Sequence, residues 1–356
     1  MKRIPVRKYF LYLLPFLFLL LILLFPAQAR NGASNGLLLW FNVLLPTLLP
    51  FMILSDLIRR LHVIDTLCNR ISARTGKNLY FLYPLLLGLL TGLPLGAKLT
   101  AEAIRSGQLS RRKGQFLLTV CNNSSTMFLM GYVAEVQLQH PELIGCFLFF
   151  VPLSSLLAAI LQTVFSTFFS AICKIASRHT PTPFYAASSD SLQQRDTILH
   201  TQRITSHTSI IATSIPASSS DKNATFSLAA SSLSKTPFIA SVSSSIMDSF
   251  TVITQVGGFV ILFSVLAEFV LLIDSPLVLP LVASLEMTTG VRAVCASALT
   301  ENAKTILSAA AVSFTGLSGI AQTACVLSET GLSLMHYIIS RLLSAVFCTM
   351  FFWLLL

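Results

Sequence analysis

The stretch Gly92-Leu93-Pro94-Leu95-Gly96-Ala97-Lys98-Leu99-Thr100 decides how the chain is read. It superficially resembles a phosphate-binding loop. Such a loop needs four residues between its glycines and a lysine directly after the second, and neither condition holds here. The stretch instead closes an apolar segment, Tyr80 to Ala97, that also carries Pro84 and Gly88. Proline has no amide hydrogen and glycine is a poor helix former, so the segment is expected to break at membrane depth. Broken backbone is tolerated there only against protein or a wet cavity. The break exposes amide donors at a half-helix N-terminus where a carboxylate or phosphate oxygen can dock, and Lys98 adds a full charge beside it. The plainer reading is a kinked helix whose Lys98 snorkels to the interface.

The composition around this stretch requires lipid as solvent. Of 356 residues, 54% are apolar and only 11% are charged, and mean hydropathy is +0.77; soluble domains carry roughly a quarter charged residues. Too little polar surface is left to coat a soluble globule. The balance of 24 Lys and Arg against 14 Asp and Glu gives +10. In a membrane protein that excess belongs to inner-side loops, so nucleic acid is not an expected partner. The 7 cysteines contain no C-x-x-C pair and mostly fall in apolar segments, which argues against disulfides and against a metal site. No Ser/His/Asp order, H-E-x-x-H or paired catalytic carboxylates appear, so neither an enzyme nor a cofactor is expected.

Residues 1–30 place Lys2, Arg3, Arg7 and Lys8 before an apolar run to Phe25 and then Pro26-Ala27-Gln28-Ala29. This has the order of a signal peptide, but the run is long enough for a span and is read as a retained anchor with its basic end inside. Further apolar segments run Gly36 to Leu57, Tyr80 to Ala97, Gln115 to Ala134, Glu142 to Cys173, Ser249 to Ile273, Pro276 to Thr300, Thr305 to Leu327 and Ser333 to Leu356. Basic residues flank Tyr80 to Ala97 on both sides, so that segment should enter and leave on the inner face as a re-entrant hairpin. Residues 176–245, rich in Ser, Thr and Ala, read as a cytoplasmic linker.

The halves 36–175 and 246–356 read as repeats. Gly96-Ala97-Lys98 aligns with Gly290-Val291-Arg292 at an offset of 194, and the same offset sets Cys121 to Ser125 against Thr315 to Gly319. Phe51-Met52-Ile53-Leu54 aligns with Phe259-Val260-Ile261-Leu262 at 208, so the first half carries 14 extra residues in its basic loop. The expected fold is an all-α polytopic membrane protein. It has an inverted repeat of three spanning helices plus one re-entrant hairpin each, and an extra N-terminal helix, giving seven crossings.

Asn122, Asn123, Ser124, Ser125 and Thr126 interrupt an apolar span, as do Ser313, Thr315, Ser318 and Gln322 in the second half. Polar groups at that depth face a cavity or another helix, so they define either a midplane site or interhelical hydrogen bonds. Glu286 and Thr289 sit in the second hairpin with Gly290 and Arg292, and Glu286 is a candidate for a coupling proton or for pairing with Arg292. Lys98 and Arg292 are expected at matching tips on opposite sides of one site. Arg341, one turn after Tyr337, reads as an inner-edge anchor.

Together these residues resemble the sporulation integral membrane protein YlbJ family, which carries two copies of a nucleoside-recognition or gate domain. The stretches that carry the resemblance are Leu48-Leu49-Pro50-Phe51, Gly92 to Lys98, Asn122 with Ser124, Gly257-Gly258-Phe259, Leu285 to Gly290, and Ser313 to Ser318 with Ala321-Gln322. The resemblance implies a multi-pass transporter in the cell membrane, in a sporulating cell the outer forespore membrane, that moves dipicolinic acid. Its partners would be a small anionic solute, the lipid bilayer and a coupling proton or sodium ion, with a homo-oligomer left open. The competing readings are a non-transporting sporulation scaffold and a nucleoside-type carrier.

Overall fold

A computed structural model describes residues 6–75, 80–178 and 237–356. Residues 1–165 with 237–356 form one unit, which holds all the helix breaks, and 166–236 belong to another. Among the described residues no strand occurs, and the chain is an all-α polytopic membrane protein.

The helices are α1 (Val6–Leu24), α2 (Pro26–Leu39), α3 (Leu45–Arg60), α4 (Val63–Thr75), α5 (Leu82–Thr91), α6 (Leu95–Arg105), α7 (Arg111–Cys121) and α8 (Ile144–Arg178). After the linker come α9 (Pro237–Val270), α10 (Val278–Leu285), α11 (Met287–Cys295), α12 (Glu301–Phe314), α13 (Gly316–Val326) and α14 (Leu334–Leu355). Five stretches are long and apolar enough to cross a bilayer among the described residues: Pro26–Arg60, Pro141–Phe168, Phe238–Val270, Glu301–Val326 and Leu334–Leu355. The expected crossing Gln115 to Ala134 is instead two short pieces, α7 and a π-helix Phe128–Gln137, parted by the polar run. The expected N-terminal anchor falls on α1, Val6–Leu24. The expected linker shrinks at both ends, since α8 continues to Arg178 and α9 starts at Pro237; residues 179–236 lie outside the described residues.

Proline shapes the first long helix. Pro46 can neither donate to residue 42 nor tolerate its carbonyl, and the turn before it widens into a π-helix, Trp40–Leu44, that joins α2 to α3. The Thr47 hydroxyl donates to the Val43 carbonyl at 2.6 Å, satisfying one acceptor in the disturbed turn. Gly32 and Gly36, one turn apart on α2, lie against Val265 and Ile261 of α9, a small-residue contact that lets two membrane helices approach closely. Asn35 donates to Glu268 at 2.9 Å and the Trp40 indole to the Ile253 carbonyl at 2.8 Å, fixing the same pair. At the other end of α3, Asp56 accepts from Arg59 and Arg60. Arg60 also meets Asp248 of α9, and Arg59 lies 3.7 Å from Glu102 of α6.

Each half contains a helix pair folded back on itself. Glu286 leaves helical geometry at φ −144° and ψ 119°, and a Cβ on Gly290 would overlap the backbone of Ala283. Residues seven apart in a continuous helix stand about 10 Å from each other along its axis, so α10 and α11 form a tight hairpin. In the first half the chain breaks at Gly92-Leu93-Pro94, and Gly88 and Gly96 both abut Cys121 at the end of α7. Residues 61–81 join α3 to α5 and 271–277 join α9 to α10; the difference of 14 residues is taken up largely by α4.

Candidate functional site

Four helix breaks meet at one place. Gly92, at φ +67°, takes a conformation that side chains resist, and a Cβ there would stand 2.5 Å from the Asn123 carbonyl and the Ser125 amide. The first hairpin tip therefore sits on the polar break of its own half, and the Leu93 amide donates to the Asn123 carbonyl at 2.7 Å. In the second half Gly316, at φ +68°, sits likewise on Glu286 and Met287. The tips also reach across: Ser124 lies 3.4 Å from the Met287 sulfur, and Gly319 abuts Leu93. Leu93 and Met287 are themselves 194 positions apart, as are Ser124 and Ser318.

The first polar break is saturated with hydrogen bonds. Asn122 accepts from the Ala97 amide at 3.0 Å and donates to the Thr323 and Tyr337 hydroxyls at 2.9 and 2.8 Å; Tyr337 in turn donates to the Asn122 carbonyl. One side chain thus joins α6, α13 and α14. Asn123 donates to the Val120 carbonyl and accepts from Ser155 at 2.6 Å and from Arg341. Ser124 donates to the Val312 carbonyl at 2.8 Å.

Arg341 corrects the sequence reading most sharply. It is no interfacial anchor: its relative exposure is 0%. Its guanidinium donates to Asn123 and to the Thr119 carbonyl and lies 5.3 Å from the Tyr337 ring. Thr119 belongs to the last turn of α7, so the cation rests on unpaired carbonyls at the negative end of a helix dipole. No carboxylate pairs with it among the described residues, and Nε has no partner. The signal was present in α14, where Tyr337, Ser340, Arg341, Ser344 and Cys348 fall at helical spacing on one buried stripe of an otherwise apolar helix.

The expected free amides at the half-helix N-termini are also corrected. At α6, Gly96 and Lys98 donate to the Gly92 and Pro94 carbonyls, and Ala97 to Asn122. At α11 the chain supplies its own cap. Glu286, 2% exposed, accepts from the Thr289 amide at 2.7 Å and the Thr288 hydroxyl at 3.1 Å, an N-cap that occupies the helix end. It makes no ion pair with Arg292. The Thr289 hydroxyl shares a 2.8 Å hydrogen bond with Ser264 of α9.

A small cavity lies between the first hairpin, α9 and α13. Its ≈ 20 Å³ are lined by Pro94, Lys98, Gln255 and Gln322 together with valines. Lys98, half-buried, has no ion pair or hydrogen bond from its ammonium among the described residues. Gln322 donates to Ser318 at 3.2 Å, but its buried Oε1 has no partner. Ser313 is buried with an unpartnered hydroxyl. Arg292, half-buried on α11, does not line this cavity, so the two cations expected to share a site are not both at it. Among the described residues no cluster of His, Cys, Asp and Glu fits a metal ion.

Fold and site thus define an all-α polytopic membrane protein with paired helix breaks packed in its interior. Over 369 aligned residues, 96% of this chain and 81% of the relative, it is 28% identical to the sporulation integral membrane protein YlbJ of Bacillus subtilis (strain 168). That similarity supports assignment to the YlbJ family of sporulation integral membrane proteins. No family model matches the chain, and no solved structure matches it.

Proposed function

We propose that the protein is a carrier for a small anionic aromatic solute, dipicolinic acid during endospore formation, with the substrate site between two inverted repeats. One observation carries this reading. The cavity lined by Pro94, Lys98 and Gln322 lies between the tip of one half and the helix that follows the polar break of the other; among the described residues the Lys98 ammonium has no partner, and the buried Gln322 amide oxygen has none. Buried polar groups are otherwise hydrogen-bonded, and unpaired ones at membrane depth are the usual mark of a solute path. Lys98 supplies the positive charge for a carboxylate, and Gln322 Oε1 accepts from a donor on the solute or from its water.

The repeat reading is supported by breaks at Gly92 and Glu286, and at Asn122 and Gly316, all separated by 194, and by the reciprocal contacts of each tip with the other half. With α7 and the π-helix Phe128–Gln137 taken together as one broken crossing, as α12 and α13 are, each repeat crosses three times, an odd number, so the second copy enters the bilayer inverted, with the coupling proton or sodium ion bound in the same region. At ≈ 20 Å³ the cavity admits about one water, so solute entry requires a hairpin tip to move off its break. The proposed location is the cell membrane and, in a sporulating cell, the outer forespore membrane.

The saturated Asn122–Asn123 network favours a second reading, a sporulation scaffold in which polar breaks only pack helices. Uptake of labelled dipicolinate and of a labelled nucleoside into proteoliposomes separates the readings. A carrier accumulates dipicolinate above protein-free vesicles. Correctly inserted protein that moves neither solute would overturn the carrier reading, and uptake of the nucleoside alone would assign a nucleoside-type carrier.

A further inference from the structure

A groove of ≈ 780 Å³ runs between α5, α7 and α8. Leu85, Leu89, Phe116, Leu117, Leu148 and Leu153 are among its walls, and Arg112 and Lys113, in the first turn of α7, line the end where that helix begins. On α8 the lining runs from Leu148 to Thr163. At 1.5 Å per residue that is about 22 Å, more than the ~15 Å hydrocarbon depth of one leaflet.

Among the described residues the charge at this groove lacks partners. Arg59, Arg60 and Lys304 are each paired with a carboxylate, whereas the exposed Arg112 and Lys113 make no ion pair or side-chain hydrogen bond among the described residues. By the distribution of Lys and Arg they belong to the inner side, where anionic lipid headgroups concentrate. A convex lipid-facing surface takes any acyl chain in passing. A slot with two unneutralised cations at its headgroup end selects a lipid by charge.

We propose that this groove seats an anionic phospholipid, its phosphate against Arg112 and Lys113 and an acyl chain along α8. The site is independent of what the protein carries. Each cation beside an anionic headgroup contributes about fivefold in affinity, so the pair gives a preference of roughly thirtyfold over a zwitterionic lipid.

The test uses the full chain in phosphatidylcholine nanodiscs, titrated with fluorescent phosphatidylglycerol and with phosphatidylcholine bearing the same chains. Wild type should prefer phosphatidylglycerol. The double variant Arg112→Gln with Lys113→Gln, both at exposed positions that leave the fold intact, should bind the two lipids alike. Leu153→Trp, which narrows the slot, should weaken both. Equal binding of the two lipids by wild type, or a preference that survives the double variant, would overturn the proposal. Displacement of phosphatidylglycerol by inorganic phosphate, with Leu153→Trp keeping full affinity, would reduce the site to two surface cations and overturn it as well.

Discussion

The two polar breaks stand 194 residues apart and have been finished differently. In the first, Asn122 and Asn123 spend every amide group on α6, α7, α8, α13 or α14, and the buried Arg341 adds a second tie. In the second, Ser313 keeps an unpaired hydroxyl and Gln322 an unpaired oxygen. The hairpin tips differ in the opposite sense. The second is plugged by its own Glu286, while the first ends on Pro94 beside an unpaired Lys98. At an offset of 194 the helices thus break at matching positions while the side chains differ: Asn122 ties α6 to α13 and α14, and Lys98 and Gln322 line the small cavity between the first tip and α13.

The largest effect should come from the first break. Arg341→Ala leaves the Thr119 carbonyl and a large buried volume unfilled, and it is expected to destabilise the protein by about 3 kcal/mol. Thermal unfolding in detergent would measure this. A variant as stable as wild type would show that the cation is dispensable and that the first break is held by Asn122 alone.

Next come the hairpins. Gly96→Val and Gly290→Val stand at equivalent positions, each pressed against backbone, the Cys121 carbonyl in one case and Ala283 in the other. Both should lose about 2 kcal/mol. A marked difference between them would mean that one hairpin can open without the other, which sharpens the comparison into a statement about which tip moves.

The cap is smaller. Glu286→Ala should cost about 1 kcal/mol by uncovering the Thr289 amide, and Glu286→Gln less, because an amide oxygen still accepts. If Gln cost as much as Ala, the negative charge and not the hydrogen bond would be the stabilising element, and the second tip would be an anion site filled from within.

Much of the skeleton could be read from residue order because breaks leave strong local marks. Pro94, Gly92 and the run Asn122 to Ser125 interrupt helices for reasons intrinsic to those residues, and the offset of 194 carries them into the second half. Pairing was harder to read. That Asn122 would take the Ala97 amide, and so close the half-helix end expected to bind solute, depends on how α6 and α7 approach, which no residue type dictates. Arg341 was misplaced for a related reason: its position near one end of an apolar segment suits an anchor, and only its alignment with Tyr337, Ser344 and Cys348 turns it inward. Arg292 matches Lys98 in sequence, but Glu286 has already taken the helix end beside it.

The measurement that tests the account most directly is the affinity of the purified protein for dipicolinate and for a neutral nucleoside, compared between wild type and Lys98→Gln. The ammonium has no partner among the described residues, so the substitution should leave stability within about 0.5 kcal/mol of wild type. It should weaken dipicolinate binding by about 1.5 to 3 kcal/mol, or roughly ten- to a hundredfold, and leave the nucleoside nearly unchanged. Unchanged dipicolinate affinity, or equal losses for both ligands, would contradict an anion site between the first hairpin and α13.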